Sequence, residues 1–213
     1  MSGRADGSRW LDRLVVIGAV THGHFELSSG LHSPEYVQCA RLLERPDLVQ
    51  AAARDLVALL SPRLDEPPAT IASPALGAII LGYEVARAWG CRSIWAERNP
   101  QDGRLAFRRG FDLQPGERVV VIEDVVTTAG SLRELVELLE RHQAQVVGVA
   151  TLVDRSGGGV EWQVPSAALV TLEGVQLPPG RCPQCAAGAG LEKPGSRPNG
   201  TGTKPTQEST HSR

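Results

Sequence analysis

Residues 119–131, VVVIEDVVTTAGS, place two adjacent carboxylates, Glu123 and Asp124, between an apolar run and a turn of small and hydroxyl-bearing residues. Paired acids of this kind can accept hydrogen bonds from neutral sugar hydroxyls and stabilise positive charge developing on a sugar ring. The turn that follows suits a different partner. Thr127, Thr128 and Ser131 offer three hydroxyls, Ala129 and Gly130 leave the backbone accessible, and the helical pattern LRELVELLERH begins at once. Free N–H groups and the helix dipole favour an anion at such a start. The segment therefore reads as a holder for a sugar phosphate, with the phosphate on the turn and the hydroxyls on the acids, because a carboxylate facing a phosphate directly would be repelled. A structural alternative makes the acids a solvated strand end and Ser131 a helix N-cap, with Glu134 completing a capping box. Capping alone explains neither the paired acids nor the two threonines. Neither G-x-x-x-x-G-K-[ST] nor a G-x-G-x-x-G after a strand is present, which excludes a Walker loop and a dinucleotide fingerprint.

Elements must deliver these residues to one place. Val119 to Ile122 lacks polar alternation, as in a central parallel strand covered on both faces, so the acids are expected at its carboxyl end, where open α/β sheets bind ligands. Around it the pattern predicts helices near 10–20 and 46–60, a loop or short strands over 21–40, then strand 70–73 and helix 77–89. Strand 93–97, the polar stretch 98–110, strand 118–122, helix 131–142 and strands 146–153 and 168–172 follow. Strands alternating with helices of this length imply βαβ units and a mainly parallel central sheet flanked by helices, an α/β fold with a Rossmann-like core. Arg155 follows the strand VGVATLVD, at a carboxyl end, where a guanidinium can pair bidentately with a planar carboxylate. The competing reading is a surface arginine bridging to Asp154 or to solvent.

The segment 119–131 resembles the phosphoribosyl diphosphate (PRPP) motif of type I phosphoribosyltransferases. HFELSSGLHSPEY (24–36), SPALGAIILGYEVARAWG (73–90) and LVDR (152–155) are similar to further segments of orotate phosphoribosyltransferases, in the expected order over roughly residues 10–195. The resemblance implies transfer of the 5-phosphoribosyl group from PRPP to orotate, giving orotidine 5′-phosphate and pyrophosphate in pyrimidine (UMP) synthesis. By the same likeness PRPP meets Glu123, Asp124, Val125, Val126, Thr127, Thr128, Ala129, Gly130 and Ser131, with Glu123 and Asp124 in the catalytic role. Orotate meets Thr127 and Arg155. Mg²⁺ is the implied cofactor, held mainly by PRPP, and no protein side chain is assigned as its ligand. A homodimer is implied, as is a flexible cationic loop over the pyrophosphate, for which Arg98 and Arg104 are the candidates.

Several residues depart from the family pattern. The loop has arginines but no lysine or histidine, which weakens any proton-donating role there. Ser28, and Leu76 with Gly77, stand where relatives often carry lysine. Ala129 replaces a common glycine and is expected to lose freedom for positive φ. Two rivals stay open: a type I phosphoribosyltransferase for another base, and a PRPP-sensing regulator that binds nucleic acid without turnover, although no basic surface or added domain favours the latter.

The chain has 213 residues, 41% hydrophobic and 22% charged, with a net charge of −2. Neither a nucleic acid nor a membrane partner is indicated: the arginines are dispersed, no apolar run nears the ~20 residues of a span, and the first residues lack a signal-peptide core. A cytoplasmic location follows as an expectation. The expected organisation is a helix and substrate-side hood over 1–45, a phosphoribosyltransferase core over 46–177, an extension over 178–194 and a disordered tail over 195–213 with almost no large apolar residue. Of the cysteines, Cys182 and Cys185 form a CPQC pair with the spacing of one corner of a zinc site. Two further ligands would have to come from a distant part of the chain or a partner subunit. A redox role lacks the thioredoxin-like βαβ context. His22, His24 and His32 lie in a Gly/Ser-rich turn region with no matching carboxylate spacing, and no metal role is assigned to them from the sequence.

Overall fold

A computed structural model describes residues 7–194. The tail expected over 195–213 lies outside these residues. The described residues open with helix α1 (Gly7–Val16), whose apolar face buries Trp10 and Leu14. The helix stops short of the expected residue 20, because Gly18 adopts φ +70° and turns the chain into an antiparallel hairpin. Its strands are β1 (Val20–Glu26) and β2 (His32–Val37), with a register shift between His22 and Phe25.

A single turn, α2 (Ala40–Leu43), leads to α3 (Pro46–Leu60). Pro46 suits the first turn of α3, where its missing N–H would have no helical partner. Val49, Ala52, Ala53, Leu56 and Leu60 recur at helical spacing and are buried against the sheet. Then come β3 (Thr70–Pro74), α4 (Ile79–Trp89), β4 (Arg92–Arg98), the short β5 (Leu105–Ala106), β6 (Arg118–Val126), α5 (Gly130–Arg141), β7 (Gln145–Asp154) and β8 (Ser166–Thr171).

The main sheet has the order β5-β4-β3-β6-β7-β8, parallel throughout except for β5, which returns antiparallel to β4. The polar stretch after residue 97 is thus a hairpin: β4 runs on to Arg98 and turns back through β5. One apolar cluster packs on the sheet face covered by α1, α3 and α4, and another on the face covered by α5. Val119 to Ile122 are fully buried between the two. At about 1.5–3 kcal/mol per buried branched side chain, these residues anchor the middle of the sheet.

β6 is longer than the apolar run implied. Its ladder with β7 continues through Glu123 opposite Thr151 and Val126 opposite Asp154. Acids are depleted in strands, so the apolar run suggested an end at Ile122, but a neighbouring strand that keeps offering partners carries β6 four residues further. After β8 the chain returns to the hairpin through a short helix α6 (Pro183–Ala186), and the described residues run on to 194.

Candidate active site

At the carboxyl ends of β4 and β6 lies a crevice of ≈ 450 Å³, bounded by Glu123, Val125 and Val126, the turn 127–131, Leu132 and Glu134, with Arg98 across from them. Thr127, Thr128 and Gly130 are exposed to it. Val125 and Val126 also pack their side chains into the two core clusters, so they support the wall from behind.

The turn is shaped by Ala129, which adopts φ +61° and ψ +18°. The expectation that alanine would forgo positive φ therefore does not hold. A left-handed alanine costs roughly 1–2 kcal/mol. Its methyl is buried beside Val126 and Leu132, which offsets about 0.8 kcal/mol of that. The capping alternative also needs correction. α5 begins at Gly130, Ser131 is already inside its first turn, and the Ala129 cap offers no side-chain hydrogen bond. The Glu134 carboxylate accepts instead from the Leu105 N–H (2.7 Å) and from Arg98 Nη1 (2.5 Å). The first amides of α5 have no intrahelical acceptors, no acid occupies its first turn, and the dipole points its positive end at the crevice.

Successive residues of a strand face opposite ways, and the two acids are divided accordingly. Glu123 lines the crevice. Asp124 turns to the other side, against the 75–78 turn: a Cβ added to Gly77 would stand 2.7 Å from Asp124 Oδ2. A side chain at position 77 would therefore displace the Asp124 carboxylate, a constraint its sequence position did not disclose. Burial, reinforced by the neighbouring Asp124 charge, pushes the Glu123 carboxyl from its ordinary 4.5 up to about 9. The Cys39 thiol donates to the Asp124 carbonyl at 3.6 Å, and burial pushes its pKa well up, so it is an inert thiol behind the acids.

Arg155 directly follows β7, and its N–H donates to the Val126 carbonyl at 2.7 Å, which sets it beside Thr127. The residue is only 7% exposed. Its Nη2 donates to Ser33 Oγ (3.3 Å) and to the Glu35 carbonyl (3.2 Å) of β2, while Nε, buried, has no partner among the described residues. Asp154, the expected rival partner, accepts instead from the N–H and hydroxyl of Ser156. Burial lowers the Arg155 pKa, opposed by Glu35 and Tyr36. Arg155 is not part of the crevice wall; its guanidinium is held under β2 by the bonds to Ser33 and Glu35. Ser33 and Glu35 were not singled out from the sequence, since only the folded hairpin brings β2 over β7.

Of the two loop arginines, Arg98 lines the crevice. Arg104 does not; it is exposed at the hairpin tip, its N–H bound to Asp102 Oδ1. Arg109 is tied bidentately to Glu97 at 2.6 and 3.0 Å.

The Phosphoribosyl transferase domain family matches residues 40–173. The chain is 48% identical over 180 residues to a protein of Thermotoga maritima named orotate phosphoribosyltransferase, covering 84% of this chain and 94% of that one. A protein of the same name from Caldicellulosiruptor bescii is 46% identical over 179 residues, covering 84% and 92%. Among solved structures, orotate phosphoribosyltransferase from Aeropyrum pernix superposes with a TM-score of 0.61 at 26% identity, covering 76% of this chain and 93% of that one. With the acid-tipped β6, the uncapped start of α5 and these likenesses together, the chain belongs to the phosphoribosyltransferases, and among them to the orotate phosphoribosyltransferase family.

Proposed function

We propose that the chain transfers the 5-phosphoribosyl group of PRPP to orotate, producing orotidine 5′-phosphate and pyrophosphate for UMP synthesis. The observation that carries the reading is the crevice itself, where a buried, uncompensated carboxylate and the free amides of an uncapped helix line one cavity. The amides of the 127–131 turn and its three hydroxyls take the 5′-phosphate. Glu123 and Asp124, on either side of β6, accept from the ribose hydroxyls and stabilise the oxocarbenium-like charge that develops as the anomeric bond breaks. Arg155 pairs with the orotate carboxylate, and Thr127 stands between ribose and base. Arg98, already in the crevice, contacts phosphate oxygens. Arg104 reaches them only if the hairpin tip folds over the site.

The acids fit a cation-bearing substrate, because the raised Glu123 pKa marks a carboxylate with no positive neighbour. Mg²⁺, carried mainly by PRPP, would neutralise the leaving pyrophosphate, and Glu123 and Asp124 would approach it through the ribose hydroxyls. We also propose a homodimer. Ile80 and Tyr83, 51% and 61% exposed near the start of α4, and Leu76, 82% exposed in the turn before it, offer apolar surface suited to a second copy. No helix among the described residues is long and apolar enough to cross a membrane, and we place the enzyme in the cytoplasm.

The test is direct. The protein is incubated with PRPP and Mg²⁺ plus orotate, uracil, adenine or hypoxanthine, and base absorbance is followed. Orotate alone is expected to be consumed; turnover of another base in its place would reassign the substrate, and turnover of none would favour a sensor.

A further inference from the structure

The end of the described chain is joined to both edges of the β1–β2 hairpin. Beside β2, the Leu177 and His32 N–H groups each donate to the other residue's carbonyl at 2.8 Å. Beside β1, Glu26 N–H donates to the Glu192 carbonyl and Glu192 N–H to the His24 carbonyl, both at 2.8 Å. Residues 178–191 therefore cross one face of the hairpin, carrying Cys182 and Cys185. On the same face stand His24 and His32, since Glu26 pairs with His32 and His24 lies two residues back along the strand. His22, by contrast, pairs with Glu35.

Four soft donors converge there. His24 Nε2 is 3.0 Å from His32 Nδ1, Cys182 Sγ is 3.4 Å from His24 Nε2, and Cys185 Sγ is 3.5 Å from His24 Nε2 and 3.2 Å from His32 Nδ1. All four atoms lie within 4.8 Å of one another. Two nitrogens and two sulfurs around a tetrahedral zinc, at about 2.0–2.1 and 2.3 Å from it, would stand about 3.3–3.8 Å apart. The tautomer also fits. His24 Nδ1 is 3.1 Å from the Ala189 carbonyl, which can only accept, so the proton sits on Nδ1 and the Nε2 lone pair faces the cluster. His24, His32 and Cys182 are buried, with Cys185 closing the cluster from the solvent side.

We infer that His24, His32, Cys182 and Cys185 bind one structural zinc ion that clasps the 178–194 segment to the hairpin. Two thiolates and two imidazoles in a tetrahedron select zinc over magnesium or calcium, which take oxygen donors. The site is closed, with four protein ligands and no place for a substrate, so its role is support. Between its hydrogen-bonded ends the segment adds a side-chain bond from Gln184 to the Gly23 carbonyl, and α6 has four residues and buries none of them. The consequence reaches the base site, because Ser33, which accepts from Arg155, is next to His32 on β2.

The test begins with wild-type protein purified under reducing conditions without chelator. Elemental analysis should find about one zinc per chain, and replacement by cobalt should give the thiolate charge-transfer absorbance of a tetrahedral site. Stripping the metal from the folded protein should open the segment to trypsin at Arg181 while the core stays resistant. Cys185→Ser should lose the cobalt charge-transfer intensity in part, and Cys182→Ser with Cys185→Ser should lose the metal altogether. Less than about 0.1 metal per chain, even after zinc is offered to reduced protein, would overturn the inference. So would a cobalt spectrum unchanged by Cys185→Ser. None of these readouts depends on catalysis, so they stand or fall apart from the assay with orotate.

Discussion

Two corners of this molecule gather polar groups, and they are assembled in opposite ways. The crevice at the end of β6 takes most of its wall from one short stretch, Glu123 and the seven residues from Val125 to Ser131. The cluster at the hairpin takes two donors from residues eight apart on adjoining strands and two more from beyond residue 180. The first keeps groups unsatisfied on purpose: a carboxyl pushed to about 9 and a helix start with no cap. In the second the donors face one another at 3.0–3.5 Å. A site that must bind and release a substrate has to leave its donors free at some cost in stability, whereas a clasp gains from closing on its ion.

The sharpest way to break this contrast is to neutralise the acid on the far side of β6 without altering its volume. Asp124→Asn should lower kcat about 100-fold, the range for losing one electrostatic contact in a transition state, with a Tm within about 2 °C of wild type. A large loss of Tm with turnover intact would make Asp124 a structural residue and erase the distinction. Arg155→Ala comes next. It should raise the orotate KM about 10- to 100-fold, as expected for one charged hydrogen-bonded pair, with little change in the KM for PRPP. An unchanged orotate KM would remove Arg155 from the base site and leave its contacts to Ser33 and Glu35 as packing.

The smallest effect is on stability and reads the strain directly. Because the folded state raises the Glu123 pKa from 4.5 to about 9, the native protein holds more protons than the unfolded chain between those values, and stability must fall as pH rises through that window. Below about 4.5 the carboxyl is protonated in both states and costs nothing; above about 9 the full cost is present. Glu123→Gln, which cannot ionise, should therefore match wild type near pH 5 and exceed its Tm increasingly toward pH 9, without PRPP. A constant difference in Tm across that range would show that Glu123 is not strained by its burial.

The residues themselves determined the parallel core and the crevice, for a physical reason. Val119 to Ile122 suits a buried strand, its carboxyl end is where such sheets bind ligands, and most of the residues up to Ser131 needed no distant partner to form a wall and an uncapped helix start. Tertiary structure decided the rest. β6 runs on to Val126 because β7 continues to pair with it, Ala129 is held at a left-handed φ whose cost its buried methyl only partly offsets, and Glu134 abandons the cap for Arg98 and Leu105 across the crevice. The union of His24 and His32 with Cys182 and Cys185 depends on a hairpin clasped on both edges by a segment some 150 residues away. Spacing along a chain reports only what local geometry can bring together, and proximity across that distance exists only once the fold has closed.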